Sequence, residues 1–565
     1  IHALLVVIIE GKSLLSVVVI LAGIIIYAIV YWGYVKWFDK NVIMSDPKRA
    51  TPAHTYMDGV EFFPSSRYVL FGFQWKSIAA LAPVVGPILA LQWGWLPALL
   101  WILFGNTFIG WIHDYSSMMV SVRSEGASFG PITYELVSPR ARTILLWYML
   151  WYIILILSSF TNIVAGLFKG FPVTPIPVLA VTIIGVLAGY MIFKFKANIV
   201  YTTLVTVILM FVGIWVGVAF PTTAPLPAGL VFDFWIWMTL LFCFLGAVLP
   251  IWVFIQPINY LSFYLVYSGV IGIILGAFVA APNYVRPMTT VFFDPKLTPG
   301  GPLWPLMFVT IGCGAVSGWH SLIGSSVSSK QLDSEPDGHF IGGGAMLLEG
   351  ILALVALTAV AILTPEAVKG LGAPAQFVLG GSTLLKNLGI PEAVGTAFVA
   401  VMLIILGITI MHIGLRITRL VLADLAGPRF GGVFRNMYVS ALIIAFIVWL
   451  VTSPYTGAAF SYIWPTFGGA NQLMAGLALM IVSLWLIREK RPTIYTVIPM
   501  LFMIVTDMSA LTFLAYDGWT KYIADPTKIG AGIVAAVNVF LLILAFLMCY
   551  EGAKAFQRLR AERKK

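Results

Sequence analysis

Charge is what this chain has least of. Asp, Glu, Lys and Arg make up 10% of its 565 residues, where soluble domains carry about 25%. That scarcity excludes an ordinary water-soluble globule, because the 60% hydrophobic share has too little polar surface to cover it. Cysteine is rarer still, with 3 residues. Cys243, Cys313 and Cys549 stand far apart in apolar stretches, which excludes a disulfide framework or a zinc knuckle. There is no His-Glu-x-x-His pair, no phosphate-binding glycine loop with its Lys-Ser/Thr, and no hydrophilic output domain. A membrane enzyme or sensor is therefore disfavoured, and no cofactor is expected.

What the chain has in abundance is apolar runs long enough to cross a bilayer. They give about fifteen spans, centred near residues 20, 80, 108, 155, 182, 210, 244, 271, 314, 353, 404, 444, 475, 504 and 540. The first run, from Leu14 to Trp32, lacks an Ala-x-Ala cleavage site and reads as a retained helix. With the N-terminus outside, about three quarters of the 33 Lys and Arg fall on one side. Lys76 is counted there as a loop residue. This bias predicts an N-out, C-in chain, and it accounts for the net charge of +10 without nucleic acid. The basic tail from Lys554 to Lys565 suits anionic lipid headgroups.

One span is interrupted. Ala79-Ala80-Leu81-Ala82-Pro83-Val84-Val85-Gly86-Pro87 lies inside the apolar run from Tyr68 to Leu91. A backbone that leaves the helix in hydrocarbon must face protein or a watery cavity. Such discontinuous helices build the substrate and ion sites of secondary transporters. A proline kink without a ligand is the plainer alternative. Five spans later Gly246, Ala247 and Pro250 form a second candidate break. The odd offset reverses the membrane direction, which predicts a LeuT-like 5+5 inverted-repeat core with accessory helices, all α-helical. The expected divisions are 1–67 (accessory helix and cytoplasmic loop), 68–220 and 233–425 (the two repeats), 436–552 (accessory helices) and 553–565 (tail). Pro83, Val84, Gly86, Gly246, Pro250 and Trp252 are the expected substrate contacts.

In that scheme a cation lies between the first break and the span near residue 314. Ala80, Pro83, Ser317 and Ser321 are its expected ligands, with Ser317, Ser321 and Gly324 on one helical face. Gly312, Gly314 and Gly318 would allow close helix approach, and packing alone is the alternative role. His320, on the same helix, would carry a proton in place of Na+.

These same residues carry a resemblance. Thr51-Pro-Ala-His-Thr-Tyr-Met-Asp-Gly-Val-Glu-Phe-Phe-Pro64, Tyr68-Val-Leu-Phe-Gly-Phe73 and Ile78 to Ala90 resemble motifs of the carbon starvation protein A family. So do Gly312-Cys-Gly-Ala-Val-Ser-Gly-Trp-His-Ser-Leu-Ile-Gly-Ser-Ser326, Ile341 to Glu349 and Trp464 to Leu473, in order along the chain. The resemblance implies an inner-membrane secondary transporter of the amino-acid/polyamine/organocation superfamily, associated with uptake of peptides and of pyruvate. The chain departs from bacterial members at Phe73-Gln74-Trp75, where they commonly carry a histidine pair, and in having only Thr364 to Pro391 between two late spans.

Buried polar residues supply further candidates. His113, Asp114 and Glu349 join His320 as expected proton-coupling groups, against interfacial placement or helix packing. Asp507 and Asn471-Gln472 read as packing groups, with oligomer contact open to Asp507. His412, Arg416 and Arg419 would anchor the inner end of a span, or gate it through Asp333, Glu335 or Asp424. His54 and Asp58 have ligand spacing but no third partner. The expected activity is cation-coupled uptake of short peptides by alternating access. Proton- or sodium-coupled transport of pyruvate or a similar carboxylate is the alternative, and a passive channel is the reading of a different class. Oligomeric state is left open.

Overall fold

Hydrocarbon offers backbone N–H and C=O groups no water, so a chain this poor in charge must close its hydrogen bonds within helices. The computed structural model describes residues 16–59, 61–453 and 460–564. Its elements begin with α1 (Ser16–Ile43), α2 (Arg67–Ile78), α3 (Ala82–Trp93), α4 (Trp95–Val122), α5 (Pro139–Gly170), α6 (Pro175–Ile192), α7 (Ile199–Ala219), α8 (Ala228–Val248) and α9 (Ile255–Ala280). There follow α10 (residues 303–310), α11 (Gly318–Ser326), α12 (Glu335–Ala361), α13 (Ala373–Lys386), α14 (Glu392–Gly427), α15 (Met437–Thr452), α16 (Tyr462–Arg488), α17 (Ile494–Ala524) and α18 (Ile529–Glu562). Residues 1–15, Lys12 among them, and Lys565 lie outside the described residues.

Among the described residues twelve helices are long and apolar enough to cross a membrane, or thirteen if the bent pair α2–α3 is one span. The protein is a multi-pass membrane protein. The expected count of about fifteen is not reached, for two reasons. α15 is short, and the stretch near residue 314 is two short helices, α10 and α11, separated by residues 311–317. Three glycines in seven residues (Gly312, Gly314, Gly318) deprive that stretch of helix-forming side chains. The connection from Thr364 to Pro391 contains α13, which docks on α3, α9 and α14.

The connecting segments gather at two ends. At one end Arg123 forks onto buried Glu335, at 3.0 Å from Nε to Oε1 and 2.8 Å from Nη2 to Oε2. Arg142 meets Asp424, Arg488 meets Glu135, and Arg558 Nη2 donates to the Leu136 carbonyl. At the other end Ser16 N donates to Pro282 O, Trp95 N to Pro287 O and Gly300 N to Gln92 Oε1. Lys76 does not belong with the loop cations. It lies in the last turn of α2 and is fully buried.

Two series of helices pack in matching ways. α5 crosses α14, and α8 lies against α15. α3 packs on α12 as α11 packs on α4; α8 packs on α5 and α14 as α15 packs on α14 and α5. α9 packs on α2 and α14 as α16 packs on α10 and α5. Exchanging α2–α3, α4, α5, α8 and α9 for α10–α11, α12, α14, α15 and α16 therefore preserves these pairings. The two series start at opposite ends: Ser65 bridges Leu332 just before α2, and Gly300 bonds Gln92 just before α10. The hairpin α6–α7 stands outside the exchange, with large apolar side chains such as Leu204, Ile208 and Trp215 more than half exposed, as on a lipid-facing surface.

Candidate functional site

Both interrupted segments come together at the middle of the two series. α2 and α3 are bent by 46° across Ala79–Leu81. The interruption therefore lies just upstream of the prolines, and Pro83 to Pro87 are helical. The reason is local: Pro83 sits in the first turn of α3, where a missing N–H breaks no helical bond. α3 approaches the second break closely. A Cβ on Gly86 would lie 2.5 Å from the Thr310 carbonyl oxygen, and one on Gly314 would lie 3.8 Å from Pro83 Cα. Trp319 Nε1 donates to the Ser77 carbonyl across the same junction at 2.9 Å.

The second expected break is not where Gly246 and Pro250 stand. α8 ends at Val248, and residues 249–254 turn into α9. Each helix passes as a span alone, so Pro250 marks a connection and not an interruption. Gly246 packs against His412, Arg416 Nη1 donates to Leu249 O at 3.0 Å, and Trp252 stacks edge-on to Tyr190. The first-break contacts Pro83, Val84 and Gly86 are buried, and their helix packs on α10 and α12 instead.

Freed backbone groups of the break at 311–317 are held by the two amides of α16. Gln472 Nε2 donates to Phe308 O at 2.9 Å and to Ile311 O at 3.1 Å. Asn471 Oδ1 accepts from Trp319 N at 3.1 Å and from Tyr152 Oη at 2.7 Å, and Asn471 Nδ2 donates to Ser317 Oγ at 3.1 Å. The pair serves the break itself, beyond general packing. Ser317 is the extended residue before α11, so it does not share a helical face with Ser321 and Gly324. Ser321 Oγ donates to Gly318 O at 2.7 Å. Both serine hydroxyls expected to bind a cation thus have protein partners. Ala80 lines a small cavity with Cys313, Trp319 and Asn471.

All four expected proton-coupling residues meet in one buried string. His113 Nδ1 donates to Asp114 Oδ1 at 2.8 Å, and His320 Nδ1 donates to Asp114 Oδ2 at 2.8 Å. His320 Nε2 lies 3.2 Å from Glu349 Oε2, close but not aligned as a hydrogen bond. All four side chains are fully buried or nearly so. Helices α4, α11 and α12 supply them. An ionised Asp114 accepts from both rings, and each imidazole then carries its proton at Nδ1. A neutral His320 then turns its Nε2 lone pair towards the Glu349 carboxyl.

Cys313 Sγ, His320 Nε2 and a Glu349 oxygen come within 4.8 Å of one another. The thiol donates to Ser317 Oγ at 3.2 Å, and from there hydrogen bonds run through Asn471 to Tyr152. Two hydrogen-bonded groups therefore lie side by side, His113–Asp114–His320 and Cys313–Ser317–Asn471–Tyr152, with Cys313, His320 and Glu349 at their junction.

Other candidates separate. Asp333 pairs with His54 at 2.8 Å, Glu335 with Arg123 and Asp424 with Arg142, so none of these acids meets Arg416 or Arg419. Asp58 accepts from Glu61 N and Phe62 N, shaping a loop. Asp507 is buried in α17 with neither carboxylate oxygen hydrogen-bonded. Sequence reasoning passed over Lys76, whose Nζ donates to Thr409 Oγ1 on α14 at 2.5 Å. Its signal was a lone lysine in the apolar run ahead of the first break.

The family described as carbon starvation protein CstA matches residues 15–382 and 367–510. The peptide transporter CstA of Escherichia coli (strain K12) is 29% identical, covering 94% of this chain and 84% of that protein. The pyruvate/proton symporter BtsT of the same strain is 27% identical over 98% of this chain and 92% of its own length. A solved manganese transporter of Eremococcus coleocola covers 88% of this chain and 98% of its own, at 10% identity and a TM-score of 0.49. The motifs around both breaks and the buried string fall within the matched residues, and the chain belongs to the carbon starvation protein CstA family.

Proposed function

We propose that this protein is a proton-coupled secondary transporter that takes up short peptides by alternating access. The observation that carries the reading is the His113–Asp114–His320–Glu349 string, which sits beside the second break and offers one shareable proton site. Buried ionisable groups at membrane depth mark proton paths in transporters. The two breaks, meeting through Gly86 and Gly314, form the pivot between solute and proton sites. A relative named for peptide transport supports the substrate class. A small carboxylate such as pyruvate is the second reading, favoured by the relative named as a pyruvate/proton symporter, which matches 98% of this chain.

The exchanged helix pairings support a LeuT-like 5+5 core. In this reading the repeats are 67–280, with α6–α7 inserted, and 303–488, in place of 68–220 and 233–425. The Arg-rich end is cytoplasmic, giving N-out and C-in. Sodium coupling at Ala80, Pro83, Ser317 and Ser321 is less favoured, since both hydroxyls are engaged.

Uptake of dialanine and of pyruvate into proteoliposomes, with proton and sodium gradients imposed separately, tests the reading. Accumulation above equilibrium driven by an inward proton gradient is expected. Equilibration without accumulation would mean a channel, and accumulation driven by sodium alone would reject proton coupling.

A further inference from the structure

An ammonium buried in hydrocarbon without an anion is costly, and proteins pair such groups. Lys76 has no such pair. Its side chain is fully buried, its partner is the neutral Thr409 hydroxyl, and no carboxylate lies within ion-pair distance among the described residues. Thr409 spends its own proton on Ile405 O, so it only accepts from the lysine. Two N–H donors of Lys76 are left over.

Further basic groups continue along α14. His412 lies about one turn from Thr409 on the same helix. Both its ring nitrogens are buried and unpartnered. Arg416, one turn further, gives Nη1 to the carbonyls at the end of α8, and it too lacks an acidic partner among the described residues. Phe242 and Phe254 close the other side of His412.

Of this cluster Arg416 reaches the wall of a cavity, while Lys76 and His412 are buried next to that wall. A vestibule of about 390 Å³ opens at the Arg-rich end, and Phe73, Gln256, Ile413 and Arg416 are in its wall. Phe73 and Ile413 are one helical turn from Lys76 and Thr409 respectively. The acids in that wall lie nearer the loops: Glu61 pairs with Lys330, Asp424 with Arg142, and Glu125 follows α4. In that wall Arg416, one turn from His412, is the cation without an acidic partner among the described residues.

We propose that Lys76, with His412 and Arg416, is the anchor for the carboxylate of the transported solute. The ligand chemistry is a single carboxylate, carried by a monocarboxylate such as pyruvate or by the C-terminus of a short peptide. The inference rests on the transporter reading above and names the group by which solute is held. Lys76 is one residue from Ser77 and three from Ala79, where the first break begins. A carboxylate held there would bring charge compensation to the pivot itself.

Binding is tested without any gradient, on the purified full-length protein in detergent, by thermal stabilisation. The probes are pyruvate, dialanine, dialanine amide and inorganic phosphate. Pyruvate and dialanine are expected to raise the melting temperature, while the amide and phosphate do not. Their relative strength separates the monocarboxylate source from the peptide one. Lys76→Met should need at least about thirtyfold more of either acid for half-maximal stabilisation, and Lys76→Arg should retain the preference. Thr409→Val, which removes only the neutral partner, provides a second variant if Lys76→Met does not fold; it should weaken acid binding less than tenfold. Equal stabilisation by dialanine and its amide, equal stabilisation by phosphate, no stabilisation by either acid, or an unchanged Lys76→Met would each overturn the anchor. Acid-specific stabilisation together with failure of proton-driven uptake would reject the proton-coupled reading and leave the anchor standing.

Discussion

Asp114 on α4 and His320 on α11 lie 2.8 Å apart, Oδ2 to Nδ1, in a place that water does not reach. The contact joins a helix of the first series to a half-helix of the second. Any motion that separates α4 from α11 must break it, or carry a proton through it. Replacing the carboxylate by its amide keeps the shape but turns one of the two oxygens into an NH2 donor, so one of the two histidines loses its acceptor. Asp114→Asn is expected to lower proton-driven accumulation by about tenfold or more, while counterflow exchange of solute persists. Uphill uptake and counterflow measured on the same proteoliposomes check this, and an unchanged accumulation ratio would remove Asp114 from the coupling path.

Glu349 gives the pH dependence. In the proton-coupled reading its carboxyl, 3.2 Å from His320 Nε2, carries the transported proton, and a symporter must load that proton from the outside. Uptake should therefore rise as external pH falls and decline as the site empties at higher pH. Glu349→Gln holds the site in a proton-bound shape at every pH. Its transport is expected to be nearly flat with external pH and unable to exceed equilibrium, read from initial rates across a pH series at zero membrane potential.

How far this was legible follows from the residues themselves. His113, Asp114, His320 and Glu349 could be singled out because an ionisable side chain inside an apolar run is costly wherever it lands. That they touch one another could not, since they come from three helices. The first break was legible because prolines and glycine crowd one run, yet its position was displaced to Ala79–Leu81 by the tolerance of a first helical turn for Pro83. Gly246 and Pro250 misled for a related reason: proline and small residues mark turns between spans as readily as breaks within them. The break at 311–317 looked like helix because its glycines were read as allowing close helix approach and Ser317 as sharing a helical face with Ser321. Lys76 escaped notice because a positive charge near a span end is ordinary until its depth is known.

Gln472 makes a stability prediction. Its Nε2 serves Phe308 O and Ile311 O, carbonyls that left helical bonding at the second break. Gln472→Leu strands them in an apolar setting, at about 1–3 kcal/mol for each group left unbonded. A lower melting temperature in detergent is expected, with Gln472→Glu less damaging than Gln472→Ala only if a protonated carboxyl can still donate. An unchanged melting temperature for Gln472→Leu would mean that the break satisfies its carbonyls elsewhere.

Arg123 and Glu335 test the opposite sign. Both side chains are nearly inaccessible, and Glu335 also accepts from Asp46 N at 2.8 Å. Removing one partner leaves the other charge stranded, so Arg123→Met should destabilise by about 3–5 kcal/mol. Removing both, in Arg123→Met with Glu335→Leu, should recover part of that loss, since the stranded charge disappears. Melting temperatures of the two singles and the double decide it; a double variant as unstable as the sum of the singles would refute the coupling.

Two glycines separate packing from backbone entropy. A Cβ at Gly86 would come 2.5 Å from Thr310 O and 3.1 Å from Ile311 Cα. Both are backbone atoms of the second break, so neither can rotate away as a side chain would. Gly86→Ala must push α3 from α10 and should cost about 1–3 kcal/mol as overpacking. Gly166, inside α5, meets nothing within 4 Å. Alanine there loses less freedom on folding than glycine, so Gly166→Ala should stabilise by about 0.5–1 kcal/mol. Transport should follow the same division: Gly86→Ala separates the two breaks and slows uptake, and Gly166→Ala leaves it near the native rate. Melting temperature and initial uptake of both variants in one preparation carry the test. A neutral Gly86→Ala would show that the two breaks do not depend on close contact, and the pivot would have to lie elsewhere.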